Sequence, residues 1–164
     1  MRSLGNLSYC FTSFKEVNFN MTIEPSSVQT WLEDYVHAKD GVAGTVHFRQ
    51  GDGLALAAAF RIPPPVVEAV RWVPWGKGMA GVALETGQAV TTCNLKEDDS
   101  GRVKPGAKAV SAQAAVALPI KDDSGSVVAV VGVAFNEERD FAPDEIDRFI
   151  ADASGLPLVP SLNR

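Results

Sequence analysis

Between Gly76 and Leu95 the chain reads GKGMAGVALETGQAVTTCNL, and after a charged stretch two apolar runs follow, AAVALPI at 114–120 and SVVAVVGVAF at 126–135. This order limits the possible folds more than any other feature. Gly78, Gly81 and Gly87 bracket MAGVALET, in which Met79, Val82 and Ala83 fit one helical face and Glu85-Thr86-Gly87 forms the exit turn. AVTTCNL at 89–95 then reads as a strand. The run at 126–135 is apolar almost throughout, as a strand covered on both faces must be, and Lys121 to Gly125 join it to 114–120 as a hairpin. The stretch is read as the centre of a sheet with a covered cavity beside it.

Upstream, Pro25, Ser26 and Ser27 precede Val28, Trp31, Leu32, Tyr35 and Val36, whose spacing of three and four predicts an amphipathic helix ending near Asp40-Gly41. GTVHFRQ at 44–50 and LALAAAF at 54–60 flank Gly51-Asp52-Gly53, a hairpin pattern that places His47 on the polar or cavity side of its strand. Pro63 to Pro65 then open a short helix or turn through VVEAVRWV, expected as a lid or side wall, with plain core filling as the alternative, and ended by Pro74-Trp75-Gly76. Downstream, KEDDSGRVKPGAKA at 96–109 has the composition of an exposed excursion. Pro143, Asp144 and Glu145, followed by Ile146, Phe149, Ile150 and Ala153 at helical spacing, predict a last helix stopped by Gly155 and Pro157.

A length of 164 residues suits one domain with one core. The expected division is a poorly ordered extension at 1–25, a folded domain at 26–154 and a loosely ordered tail at 155–164. The first twenty residues lack a secretory pattern, and Met21 resembles an independent start. A net charge of −5 without a concentrated basic patch argues against nucleic acid, and no run is long and apolar enough for a membrane helix. Cys10 and Cys93 have neither disulfide-framework nor zinc spacing, which fits a reducing, cytoplasmic setting. No metal or cofactor is expected.

Taken in order, GKGMAGVALETGQAV (76–90), AAVALPI with DDSG and VVAVVGVAF (114–135), and FAPDEIDRFIADAS (141–154) resemble a GAF domain. The resemblance covers about residues 26–154. It implies an α+β fold with an antiparallel sheet of five or six strands, the terminal helices on one face, and pocket loops and short helices on the other. It also implies a sensory module that binds a small molecule, with Phe60, Trp72, Trp75 and Met79 as pocket walls and Thr92, Asn94, Ser111 and Gln113 as polar points beside the 96–113 loop. GAF domains are said to dimerise through terminal helices, which here offer Trp31, Tyr35, Phe149 and Ile150. A homodimer or a separate signalling partner is therefore expected.

The same resemblance raises catalysis, because small standalone GAF proteins include free methionine-(R)-sulfoxide reductases. Their thiols are missing here: Ala80 stands at one cysteine position, residues 96–113 contain none, and Ala115 stands where an acidic residue is expected. Cys93 is expected to be an inert buried thiol. The cyclic-nucleotide pattern is incomplete, since Asn94 and Lys96 are not adjacent and only two residues separate Phe141 from Asp144-Glu145. Neither His37 nor His47 adjoins a cysteine as bilin attachment requires, and a lone His47 reads as a hydrogen-bonded wall residue rather than a haem ligand. The expectation is a domain with no catalytic residue of its own, with a purely dimerising or interacting module as a further reading.

Overall fold

The computed structural model describes residues 25–94 and 112–158. Residues 1–24 of the expected N-terminal extension, the 96–109 excursion, Ser111 and residues 159–164 of the expected tail lie outside the described residues. The elements in order are helix α1 (Pro25–Ala38), strands β1 (Ala43–Gln50) and β2 (Gly53–Phe60), helix α2 (Pro64–Ala69), strand β3 (Trp72–Pro74), helix α3 (Gly78–Thr86), strands β4 (Val90–Thr92), β5 (Ala114–Lys121) and β6 (Val127–Phe135), and helix α4 (Pro143–Ala153). The strands form one antiparallel sheet in the order β3-β2-β1-β6-β5-β4.

Both hairpins follow from local chemistry. Gly51 takes a φ of 58° in the β1–β2 turn, while Asp122 Oδ1 accepts hydrogen bonds from the Ser124 and Ser126 amides at 2.9 and 3.1 Å in the β5–β6 turn. Those bonds, led by the one from the Ser124 hydroxyl, hold the Asp122 carboxyl below its ordinary pKa. Pro119 lacks an amide proton to donate, yet it is tolerated in β5. It lies beyond the three residues that β4 pairs, at a locally free edge.

The two faces of the sheet carry different cores. On one, α1 and α4 cover Val116, Leu118, Val131 and Val133 with Leu32, Val36 and Phe149. Leu32 and Leu118 have no exposed surface, and burying such a side chain contributes about 1.5–3 kcal/mol each. Leu156, expected in a loose tail, is buried in this core. On the other face α3 presents Ala83 and Leu84 to Leu54, Val73, Val90, Ala117 and Val130. Gly87 ends α3 with a φ of 64° and donates its amide to the Ala83 carbonyl at 2.9 Å. Gly81 lets α3 approach β3, since a Cβ there would stand 2.4 Å from the Pro74 carbonyl oxygen.

Candidate functional site

Strand register shows what lies under the N-terminal end of α3. Thr92, Ala115, Ala134 and Ala43 form one row across β4, β5, β6 and β1, and Val90, Ala117, Gly132 and Thr45 form the next. Directly paired antiparallel residues share a face, and Val90 and Ala117 pack with α3, so both rows look toward that helix. Met79 packs against buried Ala112, two residues before β5, as do Val42 and, from the first row, Ala115 and Ala134.

This floor is built from small side chains. Thr45, Ala115, Gly132 and Ala134 stay half-buried, whereas Val116 and Val133, their neighbours on the opposite face, are almost fully buried. On the α3 face these four positions are therefore partly open, while Thr92, Ala43, Val90 and Ala117 of the same two rows are buried. A Cβ on Gly132 would come within 2.8 Å of Thr45 Oγ1, so glycine at this position leaves the threonine hydroxyl its place. Among the described residues, neither the Thr45 nor the Thr92 hydroxyl has a hydrogen-bond partner. This half-buried patch thus combines apolar side chains with a few polar points, the mix that small-molecule sites use.

Four of the eight expected pocket residues come together at this end of the sheet. Thr92 lies in the first row, Met79 packs on Ala112 beside it, and Gln113 and Asn94 stand at the adjoining ends of β5 and β4. The Gln113 amide nitrogen Nε2 donates to the Asn136 carbonyl at 3.1 Å, and Asn94 Nδ2 donates to Glu138 Oε1 at 2.7 Å. Phe60 lies elsewhere: it packs in the terminal-helix core, its ring edge-on to His37 at 5.2 Å. Trp72 and Trp75 lie at the far edge of the sheet, 43% and 42% exposed, because among the described residues no further strand lies outside β3. Trp72 lies across Gly53, and the Arg49 guanidinium sits 5.6 Å from the Trp75 ring. The residues that the sequence reading missed are Thr45, Gly132 and Ala134. Their alternation with the buried valines of the same strands was the available signal.

His47 lies one row further along the same face, opposite Val130 and Leu56. Its Nε2 donates to the Val70 carbonyl at 2.9 Å, while Nδ1 is buried without a partner. Burial lowers the imidazole pKa, and the Val70 carbonyl opposes that shift less strongly.

Cys93 overturns the expectation of a buried thiol: it is exposed at the end of β4. Among the described residues β4 has no outer neighbour in the sheet. Ala80 is half-buried against the α3-side core. Among the described residues, no group of three His, Cys, Asp or Glu side chains could hold a metal ion, and no helix is long and apolar enough to cross a membrane.

Of the residues expected at a dimer interface, Tyr35 and Phe149 are buried within the chain. Trp31 and Ile150 are half-buried, and Trp31 stacks on Tyr35 with ring centroids 4.8 Å apart. Ile150 lines an open groove of about 610 Å³ beside α4, together with Ile120, Lys121, Phe141 and Ile146.

The fold recurs in solved structures. The GAF domain of a phosphoenolpyruvate-protein phosphotransferase from Coxiella burnetii superposes with a TM-score of 0.67 at 13% identity, covering 87% of this chain and 86% of that one. A type II free methionine-R-sulfoxide reductase from Thermoplasma acidophilum gives 0.62 at 12% identity, covering 78% and 85%. NreA of Staphylococcus aureus, mutated in its nitrate binding site, gives 0.58 at 18% identity, covering 73% and 96%. At these identities the likeness is one of fold. No curated protein sequence matches the chain. The GAF domain family model matches residues 28–152, which span the whole described sheet and all but the outer ends of both terminal helices, and the chain belongs to the GAF domain family.

Proposed function

We propose that the chain is a small-molecule-binding sensory domain without catalytic activity of its own, working with a separate signalling partner in the cytoplasm. The observation that carries this reading is the half-open floor of Thr45, Ala115, Gly132 and Ala134 beside Met79, with the free hydroxyls of Thr45 and Thr92. The ligand lies between that floor and α3, with Asn94 and Gln113 beside it. The absence of cysteine at Ala80 and throughout 96–113 supports binding rather than thiol turnover.

Native mass spectrometry of the full chain tests this. A retained small molecule is expected, and Ala115→Trp, which fills the floor, is expected to lose it while keeping the wild-type far-ultraviolet spectrum. Retention by a folded Ala115→Trp variant would exclude this floor as the site. Reduction of free methionine sulfoxide is expected to be undetectable; turnover surviving Cys10→Ser and Cys93→Ser would overturn the non-enzymatic reading.

The groove beside α4 supports a second proposal, a homodimer formed through the terminal helices, with Ile150 and the exposed part of Trp31 in the contact. Light scattering after size exclusion is expected to give twice the chain mass. A strict monomer at every concentration would remove this proposal.

A further inference from the structure

The buried Nδ1 of His47 marks the place where β1 holds the short segment that precedes α3. Val70, whose carbonyl takes the Nε2 proton, directly follows α2. Besides this bond, the segment is held by buried Val66 and Val73, by the three paired residues of β3, and by hydrogen bonds from the Leu56 amide to the Arg71 carbonyl at 2.9 Å and from the Trp75 amide to the Asp52 carbonyl at 3.0 Å. It connects tightly to α3: the Gly76 amide donates to the Gly81 carbonyl at 3.0 Å, and the Pro74 carbonyl leaves no room for a Cβ on Gly81. A displacement of α2 and β3 therefore reaches the helix that carries Met79.

A second proton on the ring has nowhere to go. It would put an N–H donor and a unit charge against Val130, Leu56 and Val70 with no acceptor for Nδ1. Strands β2, β3 and β6 contain no charged residue. On the other neighbouring elements, Glu68 of α2 pairs with Arg71 at 3.3 Å, both well exposed, Arg49 of β1 is engaged with Trp75, and Glu85 of α3 lies beside Gly76. None of these acts on the imidazole, whose shift comes from burial and the Val70 carbonyl alone.

We infer that His47 is a protonation-sensitive latch, which when neutral fastens residues 64–75 to the sheet and when protonated releases them, loosening α3 above the floor. Release of 64–75 does not depend on whether the floor takes a ligand. Hydrogen exchange of the full chain at about pH 8 and about pH 5, corrected for intrinsic exchange rates, tests it across the range where histidine titrates. The expected result is roughly tenfold loss of protection at the acid end, confined to 64–75 and the first turn of α3, with β5, β6 and α1 unchanged. His37→Gln, at the exposed second histidine, is expected to behave as wild type. His47→Gln retains a donor for Val70 but does not titrate, and is expected to abolish the pH response. Unchanged protection of 64–75 in the wild type, or an equal acid response in His47→Gln, overturns the inference. If His47→Gln does not fold, an NMR titration of the wild-type ring decides, and a ring that titrates without moving the Val70 and Trp72 amides overturns it equally.

Discussion

Tyr35 donates its hydroxyl proton to the Phe149 carbonyl at 2.6 Å, joining α1 to α4 inside the main core. Burial, and secondarily the charge of Asp152, hold the phenol well above its ordinary pKa. Tyr35→Phe is expected to lower stability by about 1 kcal/mol, read from the urea midpoint, because the bond is lost while the ring remains. The raised value also fixes a sign. The folded phenol keeps its proton where the unfolded one loses it, so this contribution is intact below pH 10 and is lost as pH rises above it. Tyr35→Phe is expected to flatten that alkaline decline.

Gly81→Ala sets two effects against each other. Alanine favours a helix interior over glycine by about 1 kcal/mol, but its Cβ would lie 2.4 Å from a backbone oxygen, that of Pro74, which has no rotamer to give. Steric overpacking costs roughly 1–3 kcal/mol, so net destabilisation is expected. A thermal midpoint at or above the wild-type value would contradict the close approach of α3 to β3.

Acid lowers stability through His47. Its folded pKa lies below the ordinary 6.5, so the contribution is complete above pH 6.5 and declines as pH falls through the folded value. Within that window the unfolded state holds the extra proton, and this group's contribution falls by up to about 1.4 kcal/mol per pH unit. Urea midpoints from neutral to acid pH measure it. In His47→Gln the decline is expected to be smaller by that amount, and an identical slope would show that other groups produce it.

Exposed Cys93 is expected to react with a maleimide in the native protein without prior denaturation. Cys93→Ser is expected to change stability by less than about 0.5 kcal/mol, as surface substitutions generally do. Labelling of Cys93 only after unfolding would contradict its position at the end of β4.

Much of the architecture was legible in the sequence because it rests on short-range patterns. The runs 44–50 and 54–60, and 114–120 and 126–135, fall on the two observed hairpins to within a residue or so, and Pro143 opens the last helix as its spacing predicted. The side of the sheet to which Phe60 belongs was not legible. Between Val46 and His47 the pairing of β1 shifts from Ala58 to Leu56, so Ala57 is an extra residue in β2. That bulge reverses the alternation: Leu54 packs under α3, while Ala58 and Phe60 pack under the terminal helices. The tryptophans were misplaced for a different reason. Nothing in RWVPW shows that β3 is an outermost strand, and only sheet order reveals that, among the described residues, no further strand lies outside it. The patch was half legible, because residue type identifies polar points but not the places where small side chains leave room.

The pairing of β1 with β6 has a consequence for synthesis. Ala43 meets Ala134 at the centre of the sheet, roughly ninety residues apart along the chain. As the polypeptide leaves the ribosome, the β1–β2 hairpin forms early but has an unpaired apolar edge until β6 emerges. Closure of the sheet therefore waits for the last quarter of the chain, and a ribosome stalled before Val127 would hold an open edge vulnerable to association with other nascent chains.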